Sequence, residues 1–264
     1  MRNDANFLTD NPELYEHQFP DPENLAARFV LDLLDRYGTG KRLLDVGCGT
    51  GRDAAHWVRN GCDVTGVDSS TAMIEHARRR CPEGRFVVQD MRELDLGTDF
   101  DVITCLDSAF LYCHTNAELD GFLARCRALV RPGGLLIAEM RNGAFFLGNT
   151  ELLDGVRERS VSWQGVDYRS RTRLWIDHAE QLLRRERSWD WPGCPEVLTQ
   201  RSAWRLLFPR ELDRILAQAG FEVLALFDHP GPRTDPPWSA DAPLNTSLAG
   251  DRLHLVARPT PDRH

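Results

Sequence analysis

The chain has 264 residues, of which 42% are hydrophobic and 27% are charged. That balance provides apolar side chains for a sizeable core and excludes a wholly disordered chain. No apolar run approaches the ~18 residues that a membrane-spanning helix needs, and the first residues lack the apolar segment of a secretory signal. We therefore expect no membrane partner and a cytoplasmic location.

The net charge at pH 7 is −8, which argues against nucleic acid as the main partner. Seven cysteines are scattered along the chain without a Cys-x-x-Cys pair. Such a set favours reduced thiols over a disulfide framework or a zinc site. No other metal-ligating pattern stands out, so we expect no metal.

Helix signals come first in the chain. Asn11-Pro12-Glu13 and Asp21-Pro22-Glu23 are both typical of helix starts. The second precedes apolar residues at helical spacing, which end near Gly38. We predict that residues 1–38 form an N-terminal helical lid.

Strand and helix signals then alternate over residues 39–140. Alternation of this kind predicts an α/β fold with a parallel, doubly wound, Rossmann-like sheet. The predicted strands are 42–46, 63–67, 85–89, 100–106 and 134–140, and the predicted helices are 51–60, 70–80 and 116–130.

The alternation stops over residues 141–208, which carry five of the seven tryptophans. Short alternating runs there predict a small antiparallel β subdomain inserted into the fold. Residues 209–264 resume the α/β pattern with a helix and two strands, which bring the predicted sheet to seven strands. Between those strands, 229–250 is rich in Pro, Ser and Asp and is predicted to be a mobile loop.

A glycine-rich turn directly follows the first predicted strand, in Leu43-Leu44-Asp45-Val46-Gly47-Cys48-Gly49-Thr50-Gly51. Glycines let a ligand approach the backbone, and the next helix begins with free N–H groups. A dinucleotide fingerprint requires a third glycine where this chain has Arg52. Pyrophosphate binding at this turn is therefore disfavoured.

Carboxylates end the next two predicted strands. Asp68 follows the second strand, where its oxygens can accept both hydroxyls of a ribose. Asp90 follows the third strand and is placed to receive an adenine amino group. Either residue alone is as readily a helix cap, but three polar strand ends at one sheet edge favour a nucleoside site.

These features resemble the class I S-adenosylmethionine-dependent methyltransferases. The resemblance covers roughly residues 40–140 through these segments: Leu43–Gly51, Val64–Met73, Gln89–Met91, Phe100–Leu106 and Arg131-Pro132-Gly133-Gly134 with the strand that follows. Within the family, residues 102–129 look like the small-molecule enzymes that methylate amino sugars and other natural products. The resemblance implies S-adenosylmethionine as the cofactor, a small-molecule acceptor and a role in bacterial secondary metabolism.

The resemblance also assigns cofactor-binding residues. It implies that Asp45 supports the glycine loop, that Gly47 and Gly49 line the methionyl part, and that Asp68 holds the ribose. Asp90 and the backbone of Met91 would read the adenine, Leu106 would contact the methionine portion, and Tyr15 would close over the cofactor from the lid. The candidate set is completed by Cys48, Gly51, Arg52, Ser69 and Met73.

Catalytic candidates lie in the loop after the fourth predicted strand. His114 is the histidine placed to take a proton from an acceptor, and Tyr112 and Asp107 share the loop; a capping or surface role is the alternative for each. The acceptor, the choice of N, O or C as its nucleophile, the need for a base, and the choice between monomer and homodimer stay open.

The insertion is expected to form the acceptor pocket. Trp163, Tyr168 and Trp175 are candidates either for a wall of that pocket or for packing of the inserted sheet. Residues 151–210 contain eleven arginines and nine acidic residues. This near balance of charge does not specify an anionic acceptor. Two other functions are weighed: an inactive cofactor-binding scaffold, and a nucleotide-dependent oxidoreductase, which Arg52 disfavours.

Overall fold

The computed structural model describes residues 6–148, 153 and 155–261. Its helices are α1 (Pro12–Gln18), α2 (Leu25–Tyr37), α3 (Arg52–Arg59), α4 (Thr71–Arg80), α5 (Asn116–Leu129), α6 (Gly143–Gly148) and α7 (Pro209–Gln218). Its strands are β1 (Arg42–Val46), β2 (Asp63–Asp68), β3 (Arg85–Val88), β4 (Phe100–Cys105), β5 (Val130–Arg141), β6 (Val156–Trp163), β7 (Val166–Asp177), β8 (Leu182–Asp190), β9 (Leu198–Arg205), β10 (Phe221–Phe227) and β11 (Arg252–Pro259).

Seven strands form one sheet in the order β10-β11-β5-β4-β1-β2-β3. The strands from β5 to β3 run parallel, while β11 pairs antiparallel with both β5 and β10. The predicted α/β, Rossmann-like, seven-stranded fold is confirmed. The central position of β1 places the turn after it at the middle of the sheet's carboxyl edge, where ligands bind in such folds.

The helices cover both faces of this sheet and bury two apolar clusters. One cluster contains Phe29 and Leu33 of α2, and the other contains Phe122 and Leu123 of α5. Two helices start at a side-chain cap. Ser70 caps α4, and Thr115 and Glu118 form a capping box on α5, which satisfies backbone donors that a helix start leaves free.

Strands β6 to β9 form a separate antiparallel sheet in sequential order, as predicted for residues 141–208. Among the described residues, no helix is long and apolar enough to span a membrane.

The segment between β10 and β11 is irregular, as predicted, but it is anchored. Asp228 Oδ2 accepts hydrogen bonds from the backbone N–H groups of Ala249 and Gly250, both at 2.9 Å. Trp238 is buried, and Arg233 pairs with the buried Glu139. Distant partners that the composition does not reveal hold these parts of the loop against the sheet, and its mobility stays a prediction.

Candidate active site

The glycine turn after β1 leaves open space at one of its three glycines. All three have positive φ, between 51° and 77°. A Cβ at Gly47 would lie 2.9 Å from the Ala109 Cβ, and one at Gly51 would lie 2.8 Å from the Ala77 Cβ, whereas one at Gly49 would meet nothing within 4 Å. Packing therefore requires two of the glycines, and Gly49 faces room for a ligand.

Asp68 is fixed next to this turn. Its Oδ2 accepts from Gly49 N at 3.0 Å and its Oδ1 accepts from Ser70 N at 2.8 Å. Burial raises the pKa of this carboxyl, and the two backbone hydrogen bonds oppose the rise. Each oxygen keeps acceptor capacity for a ligand hydroxyl.

The third strand end holds Asp90, Met91 and Gln89. Asp90 Oδ1 accepts from the Arg92 backbone N–H and from Arg92 Nε, both at 2.9 Å. These hydrogen bonds lower the pKa of Asp90. The side-chain oxygen of Gln89 is buried without a hydrogen-bond partner. At this edge, the Asp90 carboxylate is already hydrogen-bonded to Arg92, whereas the Gln89 side-chain oxygen can still accept a hydrogen bond.

These strand ends line one cavity of about 1960 Å³, which extends to the inner face of the β6–β9 sheet. Ten of the thirteen cofactor-site candidates and all three catalytic candidates border it: Tyr15, Gly47, Gly49, Arg52, Asp68, Ser69, Met73, Asp90, Met91, Leu106, Asp107, Tyr112 and His114.

Asp45, Cys48 and Gly51 do not border the cavity, so their assignment to the cofactor site stays a prediction. Asp45 is buried beneath the turn and accepts from Thr104 Oγ1 at 2.8 Å. Burial, reinforced by the charge of Asp53, raises the pKa of Asp45 to about 7. The Cys48 sulfur packs beside Gly66, so this underside of the turn is structural.

The N-terminal segment forms one wall of the cavity. Tyr15 packs against Phe19 with ring centroids 5.2 Å apart, and burial raises the pKa of its phenol. Arg52 Nη1 donates to Phe19 O at 2.8 Å. Phe7 stacks on Trp191 at 5.0 Å, so the same segment also contacts the inserted sheet.

His114 lies between the two sheets. Its Nε2 is 2.9 Å from Ala203 O on β9. Its backbone N–H donates to Glu118 Oε2 at 2.8 Å. The Nε2 contact orients the ring at the cavity wall, and the backbone contact holds the loop that carries it.

Tyr112 and Asp107 flank this histidine. Tyr112 is 39% exposed toward the cavity, and enclosure by the surrounding protein raises its pKa. Asp107 has φ of 47°, a conformation that is uncommon outside glycine and often marks functional loops. Its carboxylate lies 3.6 Å from Arg233 and 3.7 Å from Arg252.

Sequence reasoning missed the residues that dominate the far side of the cavity. Trp204 borders the cavity together with Arg141, Arg185 and Arg187. The three aromatic candidates of the insertion lie elsewhere: Trp163 and Tyr168 pack with the N-terminal segment, and Trp175 carries Arg173 over its ring. Side chains alternate between the two faces of a strand, so the sequence could have shown which of these positions share a face. It could not have shown which face borders the cavity.

The part of the chain that carries this site matches a known protein family. Residues 43–134 match the model of a methyltransferase domain. That segment contains the glycine turn, Asp68, Asp90 and the three catalytic candidates.

Curated relatives include two N,N-dimethyltransferases from Streptomyces. The dTDP-3-amino-3,4,6-trideoxy-alpha-D-glucopyranose enzyme of Streptomyces venezuelae is 35% identical over 43% of this chain and 48% of its own length. The dTDP-3-amino-3,6-dideoxy-alpha-D-glucopyranose enzyme of Streptomyces fradiae is 39% identical over 37% of this chain and 38% of its own length. The chain thus matches less than half the length of these relatives.

Solved structures match over nearly the whole chain. An S-adenosylmethionine-dependent methyltransferase from Clostridium acetobutylicum has a TM-score of 0.75 at 15% identity, covering 97% of this chain and 100% of that one. An amino pentose methyltransferase from Micromonospora echinaspora has a TM-score of 0.65 at 25% identity, covering 94% and 95%. The comparisons confirm the resemblance seen in the sequence: this chain carries a class I S-adenosylmethionine-dependent methyltransferase domain, built around residues 43–134.

Proposed function

We propose that the protein transfers a methyl group from S-adenosylmethionine to a nitrogen or oxygen nucleophile of a small molecule in bacterial secondary metabolism. The observation that carries this proposal is the shared cavity, in which the glycine turn and Asp68 face the same space as His114 and the inserted sheet. The sugar N-methyltransferases among the relatives support an acceptor of the amino-sugar or natural-product kind.

The residues at the sheet edge fit this cofactor. Gly49 offers open space for the methionyl part, Asp68 offers two fixed carboxylate oxygens for ribose hydroxyls, and Gln89 has a buried acceptor without a partner. Asp90 stays a candidate for the adenine amino group, although Arg92 already occupies part of its acceptor capacity.

The bound cofactor supplies a methyl group already activated by its sulfonium. The work left to the protein is to orient the acceptor and to exclude water, and orientation alone can lower a barrier by ~7–11 kcal/mol. The N-terminal segment and the inserted sheet enclose the cavity from two sides, which suits that task. We propose the lid function of the N-terminal segment on this basis.

His114 is our candidate for the base that a hydroxyl acceptor requires. A backbone carbonyl only accepts hydrogen bonds, so its contact with Ala203 O places the proton of the neutral ring on Nε2. The other ring nitrogen, Nδ1, is then the atom that takes the acceptor's proton.

The effect of His114→Ala separates acceptor classes. With a hydroxyl acceptor, the single-turnover rate should fall by ~10²–10⁴, the usual contribution of a general base. With an amine, whose lone pair needs no base once neutral, the fall should be tenfold or less. A full rate in the variant with a proven hydroxyl acceptor would exclude His114 and leave Tyr112 or Asp107.

The proposed activity itself is tested with methyl-labelled S-adenosylmethionine and a panel of amino sugars and hydroxylated natural products. Mass spectrometry should detect label in an acceptor and an equal amount of S-adenosylhomocysteine. Cofactor binding without turnover on any acceptor would favour the inactive scaffold instead.

We also propose where the protein acts and with which partners. All seven cysteines are free thiols, which supports a reducing cytoplasm. The protein is proposed to act without nucleic acid, as a monomer or homodimer.

A further inference from the structure

The inserted sheet separates its charges between its two faces. In the register, Thr172 lies opposite Arg157 on one side and Arg187 on the other, and Leu174 lies opposite Arg185. Because side chains alternate along strands, these positions share the face that borders the cavity. The acidic residues of the four strands all fall on the other face: Glu158, Asp167, Asp177, Glu186 and Asp190.

The inner face thus carries arginines and no acidic residue, and every residue of its four strands is described. The near balance of charge in the insertion conceals this asymmetry. A count over the whole insertion does not separate the two faces, whereas the alternation of the strands does.

Aromatic rings hold three guanidinium groups at the cavity. Arg141 and Arg185 lie over Trp204, at 5.0 and 4.7 Å from the ring centroid. Arg187 lies over Trp189 at 5.6 Å, and its Nε donates to Thr172 Oγ1 at 2.9 Å. Stacking fixes the guanidinium plane but does not neutralise its charge.

These three groups have no carboxylate partner within 4.0 Å among the described residues. The Nε atoms of Arg141 and Arg185 are buried without any hydrogen-bond partner. On the outer face, by contrast, Arg184 pairs with Asp177 at 2.9 Å and Arg201 pairs with Glu186 at 2.8 Å.

Enclosure makes this arrangement costly without a counter-charge. Burial lowers the pKa of Arg187 to about 10, and the neighbouring Arg185 adds to the effect. Burial likewise lowers the pKa of Arg141 to about 10, although Asp107 and Asp251 act in the opposite direction. Buried like charges of this kind are normally compensated by an opposite charge.

We propose that Arg141, Arg185 and Arg187 form a subsite for a phosphate or diphosphate group of the acceptor. The inference rests on the proposed function, since it names the chemistry of the acceptor in the same cavity. Guanidinium groups bind phosphate oxygens through paired N–H donors, and three of them match a multiply charged anion better than a single carboxylate. The anion anchors the acceptor at the inserted sheet, and the rest of the molecule extends toward His114.

The test uses calorimetry in the presence of saturating S-adenosylhomocysteine. The probes are inorganic pyrophosphate, galacturonate as a carboxylate, and galactose as an uncharged sugar. Pyrophosphate should bind the native protein, and the double variant Arg185→Gln/Arg187→Gln should weaken it at least tenfold. Affinity for S-adenosylhomocysteine should stay within threefold.

The matched control is Arg169→Gln/Arg173→Gln, which removes the same charge from the outer face of the same sheet. It should leave pyrophosphate affinity within threefold. Equal losses in the two double variants would mean diffuse surface charge and would overturn the subsite.

The remaining outcomes separate this inference from the proposed function. A native protein that binds S-adenosylhomocysteine but not pyrophosphate overturns the subsite alone. Tighter binding of galacturonate than of pyrophosphate overturns its assignment to phosphate. A native protein that does not bind S-adenosylhomocysteine overturns the proposed function.

Discussion

Replacement of Asp68 by alanine should weaken S-adenosylhomocysteine without unfolding the protein. In the proposed complex, the carboxylate accepts two ribose hydroxyls, and each hydrogen bond to a charged group is worth ~1.5–3 kcal/mol. Loss of one such bond at the lower limit corresponds to about tenfold in affinity, and loss of two to about 100-fold. The same carboxylate holds Gly49 N at 3.0 Å, so its removal also loosens the glycine turn.

The cost to folding should be small. The two backbone N–H groups that Asp68 holds lie at the cavity rim, where water replaces the lost oxygens. We therefore expect a loss of ~1–2 kcal/mol, which lowers the melting temperature by roughly 2–8 °C for a chain of this size. Calorimetry and thermal unfolding measure the two effects separately.

Asp63→Ala is the matched control for this variant. Asp63 begins the same strand at the opposite edge of the sheet, and its side chain is 70% exposed beside Arg42. It should change neither affinity nor melting temperature appreciably. A folded Asp68→Ala protein with native affinity for S-adenosylhomocysteine would refute the assignment of Asp68 to the ribose.

Three further variants test other parts of the account. Gly49→Ala should weaken the binding of S-adenosylhomocysteine more than tenfold, because a side chain there would enter the cavity. Gly61→Ala is the control, since Gly61 also has positive φ and room for a Cβ but does not border the cavity. Equal affinities of the two variants in calorimetry would contradict this. Backbone hydrogen bonds lower the pKa of Glu118 to about 2, so its stabilising contribution is complete above the ordinary carboxyl pKa and is lost as pH falls toward 2. Glu118→Gln should therefore reduce the acid dependence of the free energy of unfolding, and a slope unchanged between pH 5 and 3 would contradict the cap. Arg233→Ala should lower the free energy of unfolding in urea by about 3 kcal/mol. This is the lower end for breaking a buried ion pair, since Arg252 still lies 3.4 Å from Glu139. Native stability of the variant would refute the anchoring of the loop.

The sheet and its ligand edge could be predicted from sequence because their signals are local. A buried strand, a glycine turn and a helix start are adjacent in the chain at residues 43–52, and the spacing to Asp68 and Asp90 follows from the β-α alternation. Parallel strands then bring these ends to one edge. Local signals did not show which of these residues border the cavity and which, like Asp45, lie beneath the turn.

The acceptor side of the cavity depends on contacts between distant segments. Arg185 and Trp204 meet only after β8 and β9 pair, and Arg141 joins them from another sheet. A count of charges over 151–210 ignores the two-residue period that sorts them onto opposite faces. The anchoring of 229–250 similarly depends on Arg233 reaching Glu139, which lies 94 residues earlier.

The cavity at the glycine turn is proposed to bind an adenosylated sulfonium cofactor and not a dinucleotide. Thermal unfolding with S-adenosylhomocysteine or with NADH tests this claim most directly. At 100 times its dissociation constant, a ligand of the folded state adds ~2.7 kcal/mol of stability. We expect a rise in melting temperature with S-adenosylhomocysteine, no rise with NADH, and loss of the rise in Asp68→Ala. Stabilisation by NADH together with none by S-adenosylhomocysteine would contradict it.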